Sequence, residues 1–229
     1  MKLLALDTAS TLCSVAVLDV ETGTVLAATS EDIGKGHAER LMAFIEQTLN
    51  HAAVPISAIG KIAVSIGPGS FTGVRVGVST ARGFGFALQC PVVGVSTLEA
   101  LAFDARRVFP ERPVLSIIDA RRDEIYAQFF APDGSAGSVP GVTTLPDVFS
   151  ALSERPDDVV LSGSGAALVN DGKEHKLAVA VTTSTGTIEA FARLGALRAV
   201  DGEAPKPLYL RGLDVKPQQG FVLRRKVSE

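Results

Sequence analysis

IAVSIGPGSFTGVRVGVSTARGFGF, residues 62–86, decides how the rest of the chain is read. It opens with an apolar run, residues 62–66, of the kind that forms a buried strand. The chain then turns through Gly67, Pro68 and Gly69 and enters a long segment with a small residue at every fourth position: Gly73, Gly77, Ala81 and Gly85. On a helix that spacing gathers them on one bare face. Each glycine costs about 1 kcal/mol of helix propensity relative to alanine, so a row of them is tolerated where another backbone must come close. The expectation is that a sister molecule lies against this face, with Arg75 and Arg82, seven apart, flanking it to meet a partner's carboxylates.

At 229 residues and 46% apolar, the chain can bury a real core and is long enough for one large domain or two small ones. A net charge of −3 argues against independent tight binding to a polyanion such as RNA. Cys13 and Cys90 are too few for a disulfide framework and point to a reducing compartment. The amino-terminal apolar run is cut short by Asp7, unlike a signal peptide. The longest uncharged run, residues 83–98, is broken by glycines and Pro91 and is too short to span a bilayer. A cytoplasmic chain without membrane contact is expected.

Residues 3–6, 14–18 and 24–29 read as three strands joined by tight turns. Residues 38–52 read as a helix with Leu41, Phe44, Ile45, Leu49 and Ala52 at helical spacing. Met42 and Ala43 widen its apolar arc beyond what a surface helix requires. The central strand, the glycine turn and the small-stripe helix follow. Residues 91–95 form a short strand, and Ser96 with Glu99 forms a capping box on a helix over 97–105. A second series then begins: residues 114–118 end at Asp119-Ala120 as residues 3–6 end at Asp7-Thr8, residues 125–130 return to a turn at Asp133-Gly134, and Ser162-Gly163-Ser164-Gly165 after residues 159–161 echoes the first glycine turn. Asp7 to Gly67 spans 60 positions and Asp119 to Gly163 spans 44, so the second lobe is expected to be short by about one helix. Residues 188–197 are the last helix. The fold class is α/β, two related lobes facing across a cleft, with lobes at 1–106 and 107–204. An irregular tail, 205–229, carries six basic and two acidic residues and reads as a solvated terminus rather than an RNA-touching arm.

An aspartate ending the first strand of each lobe is where actin-like ATPases hold metal and phosphate, so Asp7, Thr8, Gly67, Gly69, Ser70, Asp119, Gly163 and Gly165 form a candidate nucleotide cleft, expected to be degenerate. Residues 67–73 resemble a phosphate loop, but Walker A requires a lysine where Val74-Arg75 stands. The dinucleotide pattern requires one residue fewer. No resident cofactor or metal is expected, with weak ATP, ADP or Mg²⁺ binding left open. His37 lacks a second histidine one turn on, where Leu41 stands, so it is read as near-cap structure or an interface contact rather than a metal ligand. Ser70 and Ser164 sit on glycine-rich turns, yet neither has the G-x-S-x-G elbow, which disfavours a hydrolase.

LALDTA (residues 4–9), residues 37–41, GPGSFTGVR (67–75), residues 91–97, Asp119-Ala120-Arg121 and PLYLR (207–211) together resemble the TsaB (YeaZ) family, required to make threonylcarbamoyladenosine in tRNA. The resemblance implies a duplicated actin-like, ribonuclease H-like fold and a non-catalytic scaffold. It further implies a heterodimer with the paralogous threonylcarbamoyltransferase TsaD, engagement by the ATPase TsaE, and only indirect contact with ANN-decoding tRNA. Family dimers join through the first two helices, which implies homodimers here and a partner surface of Leu41, Met42, Ile45, Leu49, Gly73, Arg75, Gly77, Ala81, Arg82 and Gly85. The rival reading is an independent actin-like ATPase or small-molecule kinase using the cleft.

Overall fold

A computed structural model describes residues 1–155, 158–200 and 202–211. The first half runs β1 (Lys2–Asp7), β2 (Leu12–Asp19), β3 (Thr24–Asp32), α1 (His37–Ala52), β4 (Ile59–Ser65), α2 (Phe71–Leu88), β5 (Val92–Val95) and α3 (Thr97–Val108). The second half repeats that order in full: β6 (Val114–Arg121), β7 (Glu124–Phe130), β8 (Gly141–Thr143), α4 (Leu145–Ser153), β9 (Val160–Ser162), α5 (Ala166–Asp171), β10 (Ala178–Val181) and α6 (Ile188–Leu197). The sheets are ordered β3-β2-β1-β4-β5 and β8-β7-β6-β9-β10. In each, the first three strands are antiparallel and the next two run parallel to the first. This is the duplicated actin-like, ribonuclease H-like α/β fold the sequence led us to expect.

The second lobe is not short by one helix. Every element is present and most are trimmed: α1 has 16 residues and its counterpart α4 has 9, while α2 has 18 and α5 has 6. A deficit of 16 positions looks like one missing helix when only landmark spacing is visible.

Alternation along the central strands builds a core on both faces of each sheet. In β1, Leu4 and Leu6 face α1 and α2, whereas Leu3 and Ala5 face the opposite side. That opposite side is covered by α6, whose Ile188, Ala190, Phe191 and Ala192 pack on Leu3, Ala16, Leu18, Ala63 and Val95. The helix α3, from the first half, packs its Leu98, Leu101, Ala102 and Ala105 on Val114, Ile118 and Val160 of the second sheet. Ser116 and Ser162 fasten it there by donating hydroxyl protons to the Leu98 and Leu101 carbonyls, both at 2.8 Å. The final helix of each half therefore covers the sheet of the other. The lobe boundaries 1–106 and 107–204 follow the repeat in sequence but cut through both cores.

Two buried charged groups pin α6 in its exchanged place. Asp104 of α3 accepts the Thr187 amide at 2.6 Å and its hydroxyl at 2.8 Å, while Thr187 caps the helix through the Ala190 amide. At the other end, Lys61 of β4 donates to the carbonyls of Ala196 at 3.2 Å and Arg198 at 2.6 Å. A cation there satisfies the last carbonyls and opposes the helix dipole.

The small-residue stripe of α2 requires a correction. Gly73, Gly77, Ala81 and Gly85 are buried against the chain's own strands, not offered to a partner. A Cβ on Gly73 would lie 2.0 Å from the Thr8 carbonyl oxygen, one on Gly77 2.5 Å from the Thr8 hydroxyl, and one on Gly85 2.2 Å from a Val92 methyl. The close backbone approach inferred from the spacing is present, but the neighbour is intramolecular. Leu41, Ile45 and Leu49 lie in the same core. Of the anticipated partner surface, only Met42, Arg75 and Arg82 face solvent.

Candidate functional site: the cleft at Asp7

The carboxyl ends of β1 and β4 bring together Asp7, Thr8 and the 67–70 turn, which the sequence groups, and add Ser65, which it does not. Asp7 is 1% exposed. Its Oδ1 accepts the Ala9 amide at 2.9 Å, its Oδ2 accepts the Thr185 hydroxyl at 2.7 Å, and the Ser65 hydroxyl bonds it as well. Burial pushes this carboxyl above its ordinary value despite those bonds, which pull the other way. Thr185, from the loop before α6, had no signal in the sequence.

Several polar groups of the glycine turn are tied to the rest of the fold. The Ser70 amide donates to the Ala9 carbonyl at 2.7 Å, and Ser70 Oγ caps α2 by accepting the Gly73 amide at 3.2 Å. Gly67 adopts φ +90° and its carbonyl accepts the Thr97 amide at 2.9 Å. Gly69 abuts the Ala9 carbonyl. The Ser70 hydroxyl thus serves as the cap of α2. His37 lies at the start of α1 with Nε2 3.1 Å from the Leu12 carbonyl, in keeping with the near-cap reading.

In the second lobe the equivalent positions differ. Asp119 is exposed, and its Oδ1 accepts the Arg121 amide at 2.7 Å across its own hairpin. The Gly163 amide donates to Val181 at 2.7 Å, the Gly165 amide to Ile117 at 3.1 Å, and the Asp119 amide to Ser164 Oγ at 3.2 Å. A metal–nucleotide needs amides free to meet phosphate and a carboxylate free to meet the ion. Here both oxygens of the Asp7 carboxylate and the Ser70, Gly163 and Gly165 amides are committed to the protein, which disfavours that ligand at those positions. Among the described residues no group of three or more His, Cys, Asp or Glu is placed to hold a metal, and no helix is long and apolar enough to cross a membrane.

The tail crosses this region, which sequence reasoning missed. The Leu208 amide donates to the Ile66 carbonyl at 2.7 Å, Tyr209 meets Arg75, and Arg211 meets Glu124. The solvated-terminus reading is wrong for residues 205–211; the remainder of that expectation, 212–229, lies outside the described residues.

Residues 28–136 match the family model described as TsaD: tRNA N6-adenosine threonylcarbamoyltransferase. The Escherichia coli protein named tRNA threonylcarbamoyladenosine biosynthesis protein TsaB is 39% identical over 126 residues, 55% of this chain and 53% of that one. The Bacillus subtilis protein of the same name is 35% identical over 130 residues. The chain thus spans about half the length of these curated TsaB relatives. Among solved structures, a Pseudomonas aeruginosa protein described as similar to peptidase YeaZ superposes with a TM-score of 0.79 at 32% identity over 92% of this chain and 99% of the other. YeaZ from the same organism superposes at 0.73 and 32%, over 85% and 90%. The chain belongs to the TsaB/YeaZ family. Within the TsaB/YeaZ frame, the GPGSFTG turn that carried the resemblance is a structural junction of β1, β4 and α2.

The raised native pKa of Asp7 has a measurable consequence. Between the ordinary carboxylate value and the raised one, the native state holds more protons than the unfolded state, so stability falls as pH rises through that window. At pH 7 burying this carboxyl is therefore a standing cost. Asp7→Asn keeps an acceptor for the Ala9 amide and removes the charge, so it should raise the Tm at pH 7, the gap to wild type closing towards pH 4. Asp7→Ala should instead lose about 1–3 kcal/mol by orphaning the Ala9 amide and the Thr185 hydroxyl. Melting curves at the two pH values measure both; an Asn variant that melts below wild type at pH 7 contradicts the account.

Proposed function

We propose that this chain is the non-catalytic scaffold and activator of a pair formed with the threonylcarbamoyltransferase TsaD, served by the ATPase TsaE, in threonylcarbamoyladenosine modification of ANN-decoding tRNA in the cytoplasm. The observation that carries this reading is the likeness to YeaZ sustained over nine-tenths of that chain. The Asp7 carboxylate, bonded on both oxygens, supports the non-catalytic half of it, and the match to the TsaD model supports a paralogous partner.

The docking face we assign is the outer surface of α1 and α2, with the buried stripe supporting α2 from beneath. Phe71, Arg75, Arg82 and Phe86 follow spacings of four, seven and four along α2 and share its solvent side. Phe86 is 89% exposed, Met42 on α1 54% and Phe71 52%. Large apolar side chains gathered at that exposure mark an interaction site. Arg40 of α1 pairs with Glu31 of the edge strand β3, so Met42 and Glu46, on the other flank, face the α2 side. Glu46 on α1 beside Arg75 and Arg82 on α2 gives the face both signs of charge, which suits a two-fold copy of itself and hence a homodimer when the paralogue is absent.

Reconstituted tRNA modification with TsaD and TsaE should require this chain. Arg82→Glu combined with Phe86→Ala should weaken binding to TsaD about 100-fold, as expected for a buried aromatic and arginine pair, with an unchanged Tm. Modification that proceeds without the chain, together with micromolar binding of Mg-ATP by the isolated protein in calorimetry, would favour the ATPase or kinase reading instead.

A further inference from the structure

We propose that residues 205–211 act as an internal strap that fixes the angle between the two lobes, with Arg211 as its latch. The strap is anchored on the first lobe by two contacts. Its Leu208 amide donates to the Ile66 carbonyl at 2.7 Å, extending the backbone pairing beyond the end of β4. Next to it, the Tyr209 hydroxyl accepts Arg75 Nε at 2.7 Å, and the Arg75 guanidinium stacks 3.6 Å over Phe71 and 5.4 Å from the Tyr209 ring.

On the second lobe, Arg211 forms an ion pair with Glu124, and its Nη2 donates to the carbonyls of Ala120 at 3.0 Å and Arg121 at 3.1 Å. These acceptors sit on the β6–β7 hairpin, where Arg121, Arg122 and Asp123 all adopt positive φ, at 63°, 55° and 60°. Three consecutive non-glycine residues in that region are costly and persist where surrounding contacts over-determine them. Arg211 supplies such contacts from outside the hairpin. Its planar fork suits several acceptors held in one plane.

The strap has little slack. From Leu208 to Arg211 is three residues, which reach at most about 10 Å when extended. While both anchors hold, the end of β4 and the β6–β7 hairpin cannot part further than that span plus the length of the Arg211 side chain. Actin-like lobes with a working cleft need freedom to open; here the tail removes it. The inference rests on this chain alone and stands whether or not TsaD is the partner.

Double electron–electron resonance on the full-length protein tests it, with spin labels at Ser57→Cys and Ser150→Cys, both exposed on opposite lobes, in a Cys90→Ser background. Wild type should give one narrow distance distribution. Arg211→Ala should broaden it to about twice the width and speed amide exchange in the 119–124 hairpin about tenfold, as for release of a local tie. Arg211→Lys should restore part of both, and Glu124→Gln, which removes the ion pair from the other side, should reproduce the broadening if Arg211→Ala does not fold. Tyr209→Phe should raise hairpin exchange by a smaller factor. A distribution unchanged in both Arg211→Ala and Glu124→Gln overturns the proposal, even where hairpin exchange rises, because the contacts would then support the hairpin alone.

Discussion

Gly73→Leu should leave no folded protein, while Gly83→Ala, ten residues along the same helix, should raise the Tm. Gly73 crosses the end of β1 so closely that any Cβ would sit 2.0 Å from the Thr8 carbonyl oxygen, and the Thr8 hydroxyl donates back to the Gly73 carbonyl at 2.7 Å. Thr8 cannot retreat, because it follows the central strand directly and its amide and the adjoining Asp7 are held by Ser65, Ala9 and Thr185. Overpacking an ordinary core site costs about 1–3 kcal/mol. Forcing four extra carbons against backbone exceeds that and approaches the total of about 5–15 kcal/mol that keeps a domain folded. Gly83 has nothing within 4 Å of where its Cβ would stand. There alanine adds helix propensity without a clash, about 1 kcal/mol, or a rise in Tm of about 2–4 °C. Calorimetry on the two variants decides the matter. A Gly73→Leu chain that melts cooperatively near wild type would mean that α2 can lift off its sheet and that the stripe is free for a partner.

That contrast shows what the sequence could and could not convey. A four-residue period of small side chains states that a backbone comes close; it does not state whose. Thr8 and Val92 are the neighbours, and neither is marked by composition or spacing. The strands β1, β2 and β6 were legible because apolar residues fill both faces, and the cap at Ser96 because its partner Glu99 is three positions away. Local geometry of that kind is written in local sequence. The trimmed elements β8, α5 and β10, with three to six residues each, carry too few periods to register. Contacts such as Thr185 to Asp7, 178 positions apart, depend on topology that only the assembled chain supplies. The meeting of Asp7 with the 67–70 turn was therefore legible, whereas the hydrogen bonds that reach it from distant loops, and the tail that crosses beside it, were invisible.

Residues 1–106, the first repeat as delimited by sequence, should not fold when expressed alone. The fragment contains β1 to β5, but the face of its sheet formed by Leu3, Ala5, Ala16, Leu18, Ala63, Val93 and Val95 is covered by α6 from the far end of the chain. Losing α6 uncovers Phe191 and Ile188 together with everything beneath them. At about 1.5–3 kcal/mol for each large side chain, those two alone forfeit a large part of a domain's net stability. The fragment also exposes Leu98, Leu101, Ala102 and Ala105 of α3, which pack on the second sheet. Asp104 would keep its carboxylate without Thr187, and Lys61 its ammonium without the α6 carbonyls. A synthetic peptide of residues 184–199, added in excess, should restore part of the order by returning α6 to its sheet. The intact protein, for the same reason, should unfold in a single transition with coincident spectroscopic and calorimetric curves. Two resolved transitions in the whole chain, or dispersed methyl resonances and a cooperative melt from the bare fragment, would show that each repeat holds its own core and that the exchange of α3 and α6 is dispensable.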